Sequence, residues 1–166
     1  MATYQDTFQT YRDQAYEGQI SDIGVNDIIS PISNESSDNI GFGLFVIDGG
    51  ADGKGKLPTD KTAFELKDVL GVSVRSMALE NDSSDVPGYK PKTPMSLLRR
   101  GRIFVKCNGG CTRRNTVHVS YDATAGGLGS CHGSTVASKT VELKNVRWLT
   151  DGADGDIVEI QVDGIF

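Results

Sequence analysis

Glycine sets the limits on what this chain can fold into. Twenty of its 166 residues are glycine, and they cut the hydrophobic text into words of a few residues, shorter than a globular helix needs. Hydrophobic residues make up only 37% and aromatics 7%, so the core is expected to be modest and the turns many. The length suits one domain of short strands. No apolar run approaches the eighteen or so residues of a membrane span, and the N-terminus lacks the basic-then-apolar pattern of a secretory leader. The expectation is a chain made in a reducing cytoplasm that neither crosses a membrane nor leaves by that route.

From Ile40 onward the words read as β-strands. Residues 41–47 (GFGLFVI) form a first apolar strand, closed by a turn-rich loop over 48–53, and residues 69–74 (VLGVSV) a second, with Gly71 allowing close backbone approach. Residues 81–94 form a polar loop with three prolines. In the strand over 97–107 alternation puts Ile103, Val105 and Cys107 on one face and Arg100, Arg102, Phe104 and Lys106 on the other. Over 116–121, Val117, Val119 and Tyr121 point inward and His118 toward solvent. Residues 126–133 read as a loop, 140–148 as a strand, and 157–162 as the last strand, with Val158, Ile160 and Val162 inward. The predicted fold class is mainly β: a small barrel or sandwich of short strands with an extended N-terminal arm.

That arm is residues 1–38, ahead of a β domain over 39–166. It carries seven acids against the single Arg12 and too little apolar surface to fold alone. Tyr4, Phe8, Tyr11 and Ala15 fall at helical spacing and allow a short amphipathic helix, which Gly18, Gly24 and Pro31 keep from extending. Fully extended, such an arm reaches on the order of 100 Å, enough to cross neighbouring subunits. A mobile tail or a leading strand of the same domain is the plainer reading.

Charge is segregated as strongly as structure. Residues 90–114 hold eight of the seventeen Lys and Arg residues and no acid, leaving nine basic residues against twenty-two acidic ones elsewhere in a chain of net charge -5. Opposite potentials on one molecule steer and orient partners, so the block suggests a docking surface, while a strand pair with basic outward residues is the bland alternative. The acidic balance argues against a general nucleic-acid binder.

The residues offer little chemistry. Cys107 and Cys111 bracket Asn108-Gly109-Gly110, a turn in which both glycines can take positive φ, so a disulfide across a hairpin neck is conceivable, with free thiols the default. Adding Cys131 and His132 makes a Cys3His set on paper, but adjacent ligands are awkward and the spacing loose, so no metal is assigned. The run Asp151–Asp156 lacks the carboxylate spacing of a calcium loop and reads as a turn. Cys131 beside His132 is no nucleophile–base pair, and the glycines at 126, 127 and 129 lack the pattern of a phosphate loop. The expectation is a protein that is not an enzyme and takes no cofactor.

The order of the words Tyr16-Glu17-Gly18-Gln19-Ile20-Ser21-Asp22, Ile40-Gly41-Phe42-Gly43, Val69-Leu70-Gly71-Val72-Ser73-Val74-Arg75 and Leu98-Arg99-Arg100-Gly101-Arg102-Ile103-Phe104-Val105 resembles the structural cement (head decoration) proteins of tailed bacteriophages. A strand after Arg147-Trp148 is similar too, so the resemblance runs from about residue 16 to 162. It implies an all-β knob with an N-terminal arm, assembled as a small homo-oligomer, often a homotrimer. Such a knob sits in the virion on the outer surface of the capsid where major capsid subunits meet, after assembly in the host cytoplasm. The Cys107–Cys111 turn and the loop over 126–138 stand outside that pattern. Combined with the residues themselves, the expected contacts are the arm aromatics Tyr4, Phe8, Tyr11 and Tyr16. Arg99, Arg100 and Arg102 are expected to meet carboxylates of the major capsid protein or of another copy. Neither a membrane nor nucleic acid is an expected partner. The rival is a carbohydrate-binding or host-adhesion module, for which Trp148, Tyr89 and Tyr121 are the candidate aromatics.

Overall fold

A computed structural model describes residues 15–22, 24–36, 38–50, 52–61, 69–77 and 87–164. Among these the chain forms β-strands and no helix. Five strands close a barrel: β8 (Leu97–Asn108), β9 (Thr116–Ser120), β10 (Cys131–His132), β11 (Thr140–Trp148) and β12 (Ile157–Asp163). The long β8 pairs antiparallel with β12 from Ile157↔Lys106 to Asp163↔Arg100, and β12 continues through β11 to β9. Two-residue β10 makes the closure, antiparallel to β9 at Cys131↔Val119 and parallel to β8 at Cys131↔Cys107.

Strict alternation fills the interior. Ile103, Val105 and Cys107 of β8, Val117 and Val119 of β9, and Ile160 and Val162 of β12 are all buried. Each large aliphatic side chain so placed stabilises the fold by about 1.5–3 kcal/mol. In β11 alternation fails, because Leu143 and Val146 are three apart yet both buried. A register shift between Leu143 and Arg147 supplies the extra residue that returns Val146 and Trp148 to the inside.

Beyond the barrel the sheet runs from β8 through β6 (Val69–Ser73) and β4 (Phe45–Asp48) to β5 (Lys54–Lys56) and β2 (Ile32–Ser33). A second core of Ile40, Phe42, Val46, Tyr89, Met95 and Leu97 lies under a small ladder of β3 (Ile40–Gly41) and β7 (Gly88–Tyr89). Phe42 and Tyr89 meet edge to face at 5.8 Å, and the Tyr89 hydroxyl donates to the Val74 carbonyl at 2.6 Å.

Three details differ from the sequence expectation. The strand over 41–47 is interrupted: Gly43 takes φ +70° in a turn that separates β3 from β4. The loop over 126–133 contains β10, whose two residues are too short to show a period but carry Cys131 into the core as a small hydrophobe. His118 keeps the outward face of β9, opposite buried Val117 and Val119, but it is half-buried there and desolvation pulls its pKa down.

From Ala15 the N-terminal segment lies against its own chain. Gly18 donates its amide to Phe104 O (2.8 Å), Phe104 donates back to Gln19 O (2.9 Å), and Ser21 donates to Arg102 O (3.1 Å). These bonds occupy the edge of β8 between its pairings with β6 and β10. On the opposite edge β1 (Asp27–Ile29) pairs with β8 at Leu97, Leu98 and Arg100, next to the end of β12. The expected helix around Tyr4, Phe8 and Tyr11 lies outside the described residues.

Candidate functional site

The basic block folds largely into β8 and the turn after it. Because one face of β8 is committed to the core, Arg100, Arg102 and Lys106 emerge together on the exposed wall of the barrel, while Phe104 between them is half-buried. Arg99 is half-buried and does not share this row. The acid-free block does not make an acid-free surface, however. Register sets Asp163 of β12 opposite Arg100, Gln161 opposite Arg102 and Glu159 opposite Phe104. The Ser21 hydroxyl donates to Glu159, tying the N-terminal segment to this wall.

A shallow depression beside the row is lined by Asp22, Asn26, Arg100, Arg102, Gln161 and Asp163. A second is lined by Arg113, Arg114 and Arg147 and shares Gln161 and Asp163 with the first. Arg147 stands opposite Gln161 on β11, so Arg102, Gln161 and Arg147 form one row across three strands. Sequence reasoning counted Arg113 and Arg114 in the block but did not place them at the site, and it missed Arg147. The pairing that brings β11 beside β12 joins distant parts of the chain, and no local pattern announces it.

The turn after β8 is held by the acidic loop across from it. Gly109 and Gly110 take φ +75° and +74°, as the Asn-Gly-Gly sequence predicts. The Gly109 amide donates to Asp154 Oδ1 (2.7 Å) and the Arg113 amide to Asp151 Oδ1 (2.8 Å), while Cys111 and Gly152 exchange main-chain bonds. The carboxylates over 151–156 thus fix a basic turn. Cys107, Cys111 and Cys131 are free thiols. Burial pushes Cys107 up to about 12, with its hydrogen bond to Cys111 and the nearby carboxylates Asp154 and Asp156 adding to the shift. Burial also raises Cys111 and Cys131. Among the described residues no group of three or more His, Cys, Asp or Glu is arranged to hold a metal ion.

Of the expected aromatic anchors, Tyr4, Phe8 and Tyr11 lie outside the described residues. Tyr16 is 63% exposed, and the Arg75 guanidinium lies 4.9 Å from its ring centre and 5.1 Å from that of Phe42. The three aromatics named for a sugar-binding module are not exposed. Trp148 and Tyr89 are core residues, and Tyr121 is half-buried.

The family model described as "Structural cement protein (E217 gp24/Pam3 gp6)" matches residues 4–163. The chain belongs to the structural cement protein family. Among solved structures it is similar to a chain of the capsid of Myoviridae phage XM1, with a TM-score of 0.71 and 11% identity over 99% of this chain and 100% of that one. At that identity the likeness bears on the fold. No curated protein matches the chain. This cement protein therefore has a structural role at a phage capsid, and the buried aromatics agree with the adhesion reading being disfavoured.

Proposed function

We propose that this cement protein seats on the outer surface of the phage head as a homotrimer and bridges neighbouring major capsid subunits. In this reading Arg100 and Arg102 form charge-assisted, forked bonds to carboxylates of the capsid, with Arg99 supporting them. The observation that carries it is the division of labour within β8: from Ile103 to Cys107 one face is core, while the other face of the strand displays Arg100, Arg102 and Lys106 on the barrel wall. A site on a regular strand holds its geometry without a partner and loses little entropy on docking.

The N-terminal arm is the second contact. Ala15 is buried and from Gly18 the segment is bonded to β8, so the reach to a neighbour is assigned to residues 1–14, with Tyr4, Phe8 and Tyr11 as anchors and exposed Tyr16 at the root. A part that binds only the assembled lattice stabilises that state, by about 2.7 kcal/mol per site at a hundredfold excess over Kd.

The test adds purified protein to capsids that lack it and measures occupancy across salt concentrations, with an image reconstruction to locate the density. The Arg99→Ala, Arg100→Ala, Arg102→Ala variant and a chain lacking residues 1–14 are each expected to lose occupancy. The substituted variant should lose most at low salt, where charge attraction is least screened. Full occupancy by both at all salt concentrations, or density absent from the outer surface, removes this reading.

A further inference from the structure

The two depressions around Gln161 and Asp163 point beyond a basic row on one strand. We infer that the outward face of β12 is the floor of a trough that takes an acidic peptide segment of the capsid subunit, with Arg100 and Arg102 on one wall and Arg113, Arg114 and Arg147 on the other. The inference rests on the proposed capsid-docking role and names the chemistry and the residues of that contact.

The geometry is set by the sheet. Arg102, Gln161 and Arg147 are consecutive cross-strand neighbours, so Arg102 and Arg147 stand about 10 Å apart at the backbone, two strand spacings, with a neutral amide between them. Arg100, Arg102 and Arg147 are exposed on their strands, and Arg113 and Arg114 are exposed in the turn beside them. At about 3.3 Å per residue, an extended segment with carboxylates two to four residues apart reaches both walls, and each guanidinium fork can grip one carboxylate.

The charge pattern selects the occupant. Asp163 and Glu159 on the floor interrupt the positive potential, which disfavours a continuous polyanion such as nucleic acid and suits separate carboxylates set between them. The described acidic turns of a second copy are poor donors, because Asp48, Asp122, Asp151, Asp154 and Asp156 already accept hydrogen bonds from their own chain. The capsid subunit is taken as the donor because the structural role of this family sets the chain against a capsid, and a second copy is tested below as a competitor.

The probe is a dye-labelled decapeptide of alternating Glu and Gly, titrated by fluorescence anisotropy against the full chain at low and at physiological salt. A twenty-nucleotide single strand and unlabelled full chain serve as competitors. Arg147→Ala and the paired Arg102→Lys, Arg147→Lys variant are each expected to weaken peptide binding by about tenfold or more, since lysine keeps the charge but not the fork. Lys54→Ala, on β5, should leave binding unchanged. On capsids lacking this protein, Arg147→Ala should lower occupancy with an unchanged thermal midpoint. Unaltered peptide affinity in the lysine pair, or competition by the oligonucleotide or by the second copy at lower concentration than peptide, overturns the trough. Wild-type chain failing to occupy capsids at all instead overturns the docking role, while occupancy that ignores Arg147 removes only the trough.

Discussion

Gly18 is the residue on which the seating of the N-terminal segment turns. It takes φ +75°, and its two backbone groups bond in different directions: its amide to Phe104 O at 2.8 Å, and its carbonyl to the Arg75 amide at 2.7 Å. A Cβ there would lie 2.8 Å from Phe42 Cβ, 2.9 Å from Arg75 N and 2.9 Å from Ser73 O, two of them backbone atoms that cannot swing away. Gly18→Ala therefore combines two costs. An L-residue in the left-handed region costs about 1–2 kcal/mol, and forcing a methyl into filled space about 1–3 kcal/mol. Gly50 isolates the first cost, because it has φ +77° and nothing within 4 Å of the added methyl. The expected result is that Gly18→Ala destabilises more than Gly50→Ala by about 1–3 kcal/mol, which at about 2–4 °C per kcal/mol for a chain of this size is roughly 2–12 °C in thermal midpoint. Hydrogen exchange supplies the local readout. If the segment lifts off before the domain melts, the Phe104 and Arg75 amides exchange faster in Gly18→Ala, and the midpoint moves less. Equal midpoints for the two variants together with unchanged protection at Phe104 and Arg75 would refute the claim that this segment is seated along the edge of β8.

Other outcomes follow from the core. Trp148 is fully buried, and its indole nitrogen has no hydrogen-bond partner among the described residues. Trp148→Ala should cost about 3–5 kcal/mol. Trp148→Phe should cost clearly less, since it also removes a buried donor whose isolation costs about 1–3 kcal/mol; chemical denaturation of the two variants decides, and equal losses contradict the unpaired donor. The thiols predict an alkaline weakness. Cys107 is raised from 9.0 to about 12 in the fold, so the unfolded chain ionises first; stability holds below pH 9 and falls as pH rises from 9 toward 12. Urea midpoints across that range should fall less steeply in Cys107→Ala, and an identical slope would remove the thiol as the cause. Under mild alkylation followed by mass spectrometry, half-exposed Cys111 should react before Cys107 and Cys131.

What could be read in advance was whatever a strand declares locally. Ile103, Val105 and Cys107 against Arg100, Arg102 and Lys106 state which face of β8 is core, and Val158, Ile160 and Val162 do the same for β12. What stayed hidden depends on pairing between distant residues. β10 is a strand only because β8 and β9 lie on either side of it, and β11 keeps Leu143 and Val146 both inside through a shift that alternation cannot express. The candidate surface divides in the same way. The basic row was legible as a charge block, but its real neighbours, Asp163, Gln161 and Arg147, come from strands 40 or more positions along the sequence. Their approach is fixed by register, not by composition.

The two proposed contacts are mechanically joined, because the segment that roots the arm also fixes the backbone of the basic row. Ser21 donates its amide to Arg102 O at 3.1 Å and its hydroxyl to Glu159, while Gln19 and Gly18 bracket Phe104 two residues on. An arm engaged by a neighbouring subunit would therefore load the strand that carries Arg102, and a loosened root would let that strand's outward side chains wander from their productive geometry. Residues that share a backbone element do not contribute independently, so the expected signature is non-additivity. In a double-mutant cycle on capsid affinity, Gly18→Ala and Arg102→Ala should couple by about 0.5–3 kcal/mol, with Gly18→Ala costing little once Arg102 is gone. Gly50→Ala with Arg102→Ala should be additive to within about 0.5 kcal/mol, because Gly50 lies in the β4–β5 turn and shares no partner with the row. Additivity in both cycles would mean that arm and row bind as separate devices, and that the bonds at Ser21 and Gly18 serve the fold alone.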